Sequence, residues 1–482
     1  MKPLHPKSLV LSLLTCGTLA ACGGGGSSES SGGNGNVPID GGNTFAKTII
    51  SIDECGNETP AQDVTVLIHK DDFSVAATLT PDSRGTVRYD TEDATTTFSV
   101  ISTSKALDSG AKPVVISTSI DYPKAEASNV YIYSSQESAC NCQDVNLTIS
   151  TPNNSDYIQS ASITGHGGGY SYTHNIGGVS AEINVCQVDG QWPTLTSTIN
   201  FDGHEAYFGT KSDYITDPNW YISTTGDLVS VTSNGLRNSL TAYKNGKALY
   251  QSNANAGELL TYYGVDGITN VGISTNQYEF FNNEQGSVFT YGANNKIVGT
   301  SLSNLSILLG DFDAMRIIEL LFSESNSYDL SDYTELDYLR LGLEFENAFG
   351  DSLVSWRIKV PPVGTVPNIE NFPLDEYLTS FLGNEEVTSA EFLGWAIAYE
   401  HLSNYQETFN IDIEQTDEEK LNREFFYASV DVSLENLTNV IPQSLINISR
   451  LGKSSKTSSQ ANKRQPEPSQ YIKRANEINT RH

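Results

Sequence analysis

Serines, histidines and carboxylates are the groups through which this 482-residue chain could do chemistry, and their spacing decides which reactions are open to it. His166-Gly167-Gly168-Gly169 is a glycine run of the kind whose backbone N–H groups stabilise a developing alkoxide. Such a loop needs a nucleophile. No G-x-S-x-G occurs anywhere, so the run reads as a glycine-rich turn between strands. Gly350-Asp351-Ser352-Leu353 offers a serine that would need a later Asp-x-x-His to activate it. Only His401 and His482 follow, neither with Asp three residues before it, and the segment reads as a hairpin turn. His204-Glu205 and the pair His166 and His174 have ligand chemistry without a recognisable ligand spacing. Asp329, Asp332, Glu335 and Asp337 bring together the residue type of a glycosidase pair, but a chain with 58 acidic residues makes such groupings freely. The sequence therefore predicts no catalytic residue, no cofactor and no metal site.

Aromatic residues are the next candidates. Tyr170, Tyr172, Trp192, Tyr207, Tyr214, Trp220 and Tyr221 crowd one stretch. Exposed rings there would stack on sugars and suit a carbohydrate-binding sandwich, whereas core packing and strand propensity account for most of them without a ligand.

The N-terminus places Lys2 and Lys7 ahead of Leu9-Val10-Leu11-Ser12-Leu13-Leu14, a run too short for a permanent membrane helix but suited to a secretory signal. It closes on Leu19-Ala20-Ala21-Cys22, which resembles the lipobox of bacterial lipoproteins. That resemblance implies cleavage before Cys22 and a diacylglycerol on its thiol. With Gly23 rather than Asp next, it also implies transfer to the outer membrane, where the body faces the periplasm or the cell exterior. Acyl chains contribute about 0.8 kcal/mol per buried CH₂, enough for the two or three chains of such lipoproteins to anchor stably. With Cys16 removed and Cys22 acylated, four cysteines remain in an oxidising compartment and read as two disulfides. Cys140 and Cys142 lie two apart and a bond between them would be strained, so the expected pairs are Cys55–Cys140 and Cys142–Cys186.

The chain carries 28 basic and 58 acidic residues, a net charge of −30. Because the last segment is basic, the body between Cys22 and Ser449 holds 18 basic against 56 acidic residues, so it repels nucleic acid and other polyanions. The acidity suits solubility in a salty external medium, and no D-x-[DN]-x-[DN]-G loop marks a calcium site. Residues 22–43 are Gly/Ser-rich and read as a flexible leash. Residues 450–482 are polar and basic, and read as a disordered tail.

The elements that must position any site are strands: 39 Gly, 24 Tyr and only two Met accompany short alternating runs bounded by turn signals. The expected divisions are a first module over 44–138, a second over 139–227, a third over 228–305 and a fourth over 306–449. In the first, Asn57 to Val66 followed by Asp82-Ser83-Arg84-Gly85 resembles the carboxypeptidase-regulatory-like modules, which implies an immunoglobulin-like or prealbumin-like sandwich and no activity. Asn245-Gly246 signals a tight hairpin in the third. In the fourth, Tyr338 to Glu346 and Leu353 to Val360 read as a hairpin, Phe392 to Leu402 and Phe425 to Leu434 as strands, and Asp311 to Phe322 as a short helix. The fold expected is all-β: tandem immunoglobulin-like or prealbumin-like sandwiches, then a β-rich module with one or two short helices. The function expected is a membrane-anchored, non-enzymatic spacer, adhesion or binding module whose partner is a glycan or an envelope protein. An extracytoplasmic hydrolase or carbohydrate-processing protein and an envelope-complex subunit are the alternatives.

Overall fold

The computed structural model describes residues 44–433 apart from internal stretches, the longest being 311–326, 373–388 and 410–422. Cys22 and the rest of the N-terminal region, Cys55, Cys140, the helix expected over 311–322 and the basic tail lie outside the described residues. Within them the chain is all-β, and the described helical turn is the 3₁₀ segment Tyr405–Phe409. No helix among the described residues is long and apolar enough to cross a membrane.

Twelve strands form one sheet. In chain order they are β1 (Thr65–His69), β2 (Val75–Leu79), β3 (Thr95–Thr103), β4 (Val114–Pro123), β5 (Arg237–Lys244), β6 (Lys247–Asn255), β7 (Asn270–Asn283), β8 (Gly286–Gly299), β9 (Tyr338–Glu346), β10 (Ser352–Val360), β11 (Ser389–Tyr399) and β12 (Arg423–Ser433). Their spatial order is β6-β5-β7-β8-β12-β11-β9-β10-β4-β3-β1-β2. Neighbours run antiparallel except β4 and β10, which run parallel with Ile116 opposite Trp356. Hydrogen-bonded pairing thus crosses the divisions expected at 138 and 305. The hairpins expected at 245–246 and 349–351, and the strands expected near 392–402 and 425–434, are all present.

A sheet buried on both faces needs apolar residues at consecutive positions. β11 supplies them: Phe392 and Ala396 enter one core, while Leu393, Trp395, Ile397 and Tyr399 enter the core on the opposite face. The first core is built around Trp356, Leu341, Val354 and Ile358. The second gains Phe45, Ile49 and Val87 from a small sheet in which Thr44–Ile52 pairs with Glu58–Pro60, Thr86–Asp90 and Val130–Tyr133, which closes a sandwich over β1 and β3. Trp356 and Trp395 are both fully buried, and truncating either ring would cost about 3–5 kcal/mol. Gly342 makes room for the second, since a Cβ there would sit 2.8 Å from the Trp395 ring.

Between Cys142 and Thr225 the chain forms a separate sandwich. One sheet has Ile158–Gly167, Tyr170–Asn175, Thr194–Phe201, Ala206–Lys211 and Thr224–Thr225; the other has Cys142–Ser150, Ser180–Cys186 and Asn219–Tyr221. Leu147, Ile149, Ile163, Ile183, Leu195 and Ile199 fill its core. Cys142 and Cys186 are register partners and form the expected disulfide.

Candidate functional site

At the β6 end of the large sheet the two faces differ in character. Leu240, Ala242, Leu249, Ala254 and Val271 pack into a core with Phe208, Val229 and Leu260. The intervening residues on the other face are polar. Asn253 of β6, Ser239 of β5, Ser274 of β7 and Asn295 of β8 lie in one register row across four strands. Asn255, Arg237, Asn276 and Ala293 make the next row, and Gln251, Thr241, Gly272 and Ile297 the row on the other side. With strands about 4.8 Å apart and alternate residues about 6.8 Å apart, these rows tile a floor of about 14 Å by 14 Å.

This floor lines a cavity of about 390 Å³, walled by Tyr243, Tyr278 and Tyr291. Tyr278 is the exposed ring of the three and stacks at 6.4 Å on Phe289. Ser239 donates its hydroxyl proton to Asn253 Oδ1 at 2.7 Å, which fixes the amide and leaves its Nδ2 donors unengaged. Gln251, Asn255, Thr241, Ser274 and Asn276 make no side-chain hydrogen bond to another protein group among the described residues. The lining holds no carboxylate, although the chain has 58. Gln251, Asn255, Thr241, Ser274 and Asn276, set in register rows beside an exposed ring, can orient a polar uncharged ligand.

A second polar constellation is sealed. His69 of β1, Ser99 of β3, Thr118 of β4 and Trp356 of β10 form a chain of hydrogen bonds across four strands. Trp356 Nε1–H donates to Thr118 Oγ1 at 3.0 Å, and Ser99 Oγ lies 2.7 Å from both Thr118 Oγ1 and His69 Nε2. His69 Nδ1 lies 3.2 Å from the carbonyl of Phe73, which can only accept, so Nδ1 carries the proton and Nε2 accepts from Ser99. Burial lowers the His69 pKa from 6.5 to about 4, against the smaller opposing effect of the Phe73 carbonyl. The serine–histidine distance is that of an activated nucleophile, but Ser99 is 0% exposed and no acyl group reaches it. The relay orders four strands around the Trp356 ring.

Glu344, Glu346 and Glu391 also converge, with carboxylate oxygens within 4.8 Å of one another. Glu344 of β9 and Glu391 of β11 are register partners, and Glu391 is 6% exposed.

The residues singled out in sequence fall as follows. His166 is opposite Ser171 and His174 opposite Ile163, three register rows apart, about 10 Å along the ladder. Asn347 Oδ1 accepts the N–H groups of Phe349 and Asp351 at 3.0 Å each, and Gly350 has φ +83°, so the Gly-Asp-Ser segment is a turn. Asp337 is buried and accepts the Tyr399 N–H at 2.6 Å, while Asp329 accepts that of Ser331. Tyr207, Tyr214 and Trp220 point into the sandwich core, Trp192 packs against it, and Tyr221 is exposed. His204, Glu205, Glu335 and His401 lie outside the described residues.

The cleft was not anticipated from the sequence, nor were the relay and the glutamate cluster. The cleft left a signal: Arg237, Ser239 and Thr241 alternate with Asn238, Leu240 and Ala242, and Gln251, Asn253 and Asn255 repeat the pattern.

No family model matches the chain. No curated protein matches it either. Among solved structures, two B repeat units of the collagen-binding protein of Staphylococcus aureus align with 66% of this chain and 99% of that one, at 7% identity and a TM-score of 0.12. A score so low carries no argument about architecture or function.

Proposed function

We propose that this protein is a non-enzymatic binding or adhesion module, tethered to the outer membrane through a lipid on Cys22 and displayed beyond the inner membrane on its Gly/Ser leash. The observation that carries the binding role is the polar floor across β6, β5, β7 and β8, whose rows line a cavity on the face opposite the core packed against those strands. The Ser99–His69 pair supports the non-enzymatic part, because the geometry that resembles a nucleophile and its base is closed to substrate. The anchor rests on the Leu19-Ala20-Ala21-Cys22 segment.

Two measurements test this reading. Cells fed labelled palmitate should label the wild-type chain and not Cys22→Ala; equal labelling of both refutes the anchor. Cells displaying the chain should adhere to at least one polymer-coated surface better than cells lacking it, and equal adherence on every surface refutes the binding role. Proteinase shaving of intact cells then decides whether the body faces outward or into the periplasm.

A further inference from the structure

We infer that the cleft over β6, β5, β7 and β8 binds an uncharged polysaccharide, laid across the strands with its hydroxyl groups on the amide and hydroxyl rows. The inference rests on the binding-module reading and gives it a ligand class.

Three observations converge. The first is the unspent hydrogen-bonding capacity: Thr241, Ser274 and Asn276 are half-buried, line the cavity and have no side-chain partner among the described residues. Half-buried polar groups keep such an arrangement at a cost unless water or a ligand satisfies them. A chain of sugar hydroxyls, each both donor and acceptor, complements a floor that mixes amide N–H₂, amide C=O and hydroxyl groups. The second is charge. The lining has no acid, and of its two cations Lys296 lies opposite the inward-facing Ile273, which leaves Arg237 alone on the floor. A polyanion would meet one cation there and a chain of net charge −30 everywhere else, whereas a neutral polymer meets no field to oppose it. The third is shape. The floor is open at the sheet edge formed by β6, so a polymer can pass over it without its ends being enclosed. The Tyr278 ring, held by its stack on Phe289, offers a flat apolar face to the C–H side of a pyranose.

The same hydroxyl-rich chemistry occurs in polysaccharides of the surroundings and in the neutral surface glycan of the producing cell, and the test separates these sources. Full-length lipoprotein in detergent is run through native gels containing laminarin, soluble starch, galactomannan, the cell's own extracted neutral glycan, or alginate as the polyanion. Retardation by at least one neutral polymer is expected, and which one responds tells the external source from the internal. In Gln251→Ala/Asn276→Ala, both on the floor and without a side-chain partner in the protein, affinity should fall by about tenfold or more with the melting temperature unchanged. Asn253→Asp keeps the shape but replaces donors with a charge, and should lose affinity comparably while staying folded. No retardation by any neutral gel, retardation by alginate alone, or unchanged affinity in folded variants overturns the inference. Cells carrying the wild-type and double-variant chains are compared alongside: equal adherence by both would overturn the polysaccharide site while the binding-module reading stood, and no adherence beyond that of cells lacking the chain would remove both.

Discussion

Lowering the pH below 6.5 should destabilise this protein through His69. In the folded chain the ring is 7% exposed, stacked on Phe73 at 4.3 Å, and committed as donor to the Phe73 carbonyl and acceptor from Ser99. A second ring proton would make Ser99 an acceptor and take away the acceptor of its own hydroxyl proton, so the bonds between Ser99 and Thr118 would have to rearrange. The folded pKa of about 4 lies below the ordinary 6.5, so above pH 6.5 both folded and unfolded chains hold a neutral ring and the stability is fully present. As pH falls from 6.5 to 4, the unfolded chain takes up a proton that the folded chain refuses. The 2.5-unit difference corresponds to a loss of about 3 kcal/mol across that window, with no further loss from this group below pH 4. Asp82, held below its ordinary 3.8 by the N–H groups of Thr86 and Arg84, acts in a separate window: its contribution is present above 3.8 and lost at lower pH. The assay is a ¹H–¹⁵N NMR titration of the imidazole with urea unfolding at pH 7.5, 6.5, 5.5 and 4.5, on the wild type and His69→Gln. The wild type should lose stability steeply between 6.5 and 4.5, and the variant should lack most of that slope. A His69 ring titrating near 6.5 in the folded protein, or equal slopes in both proteins, would refute the argument.

Two further outcomes follow from local geometry. Removing the second-module disulfide with Cys142→Ser/Cys186→Ser frees a loop of sequence separation 44 and should cost about 4 kcal/mol, seen as a lower melting temperature that reductant no longer changes. Gly85→Ala places a Cβ 2.5 Å from the Ile49 carbonyl at φ +75°, so it should destabilise the first sandwich by about 2 kcal/mol in urea unfolding, and Ser83→Ala nearby should not.

Strands and turns were legible because their signals are local. The Asp82 to Gly85 turn, whose Asp82 carboxylate accepts the Arg84 and Thr86 N–H groups, stands where its residues predict. Leu393, Trp395, Ile397 and Tyr399 marked one face of β11. The tertiary pairing was not legible. Thr118 and Trp356 are 238 residues apart, and nothing near either one points to the other. The same holds for Glu344 and Glu391, joined only by register. Core packing accounts for most of the aromatic crowd of the second segment, as expected: Tyr207, Tyr214 and Trp220 are turned inward. The cleft was written in alternation across four strands, but its asparagines resemble turn residues until pairing puts them in rows.

The parallel seam between β4 and β10 also sets an order of assembly, because its strands lie 238 residues apart in the chain. Until β10 arrives, the backbone of β4 is an unfilled edge ready to pair with any extended segment, a neighbouring copy included. The large sheet therefore matures late, by joining the waiting strands β1 to β4 to strands made last. Contacts so distant in sequence slow folding and lengthen exposure to aggregation. A chaperone that shields exposed strands would accordingly matter more to the yield of this protein than to its final stability.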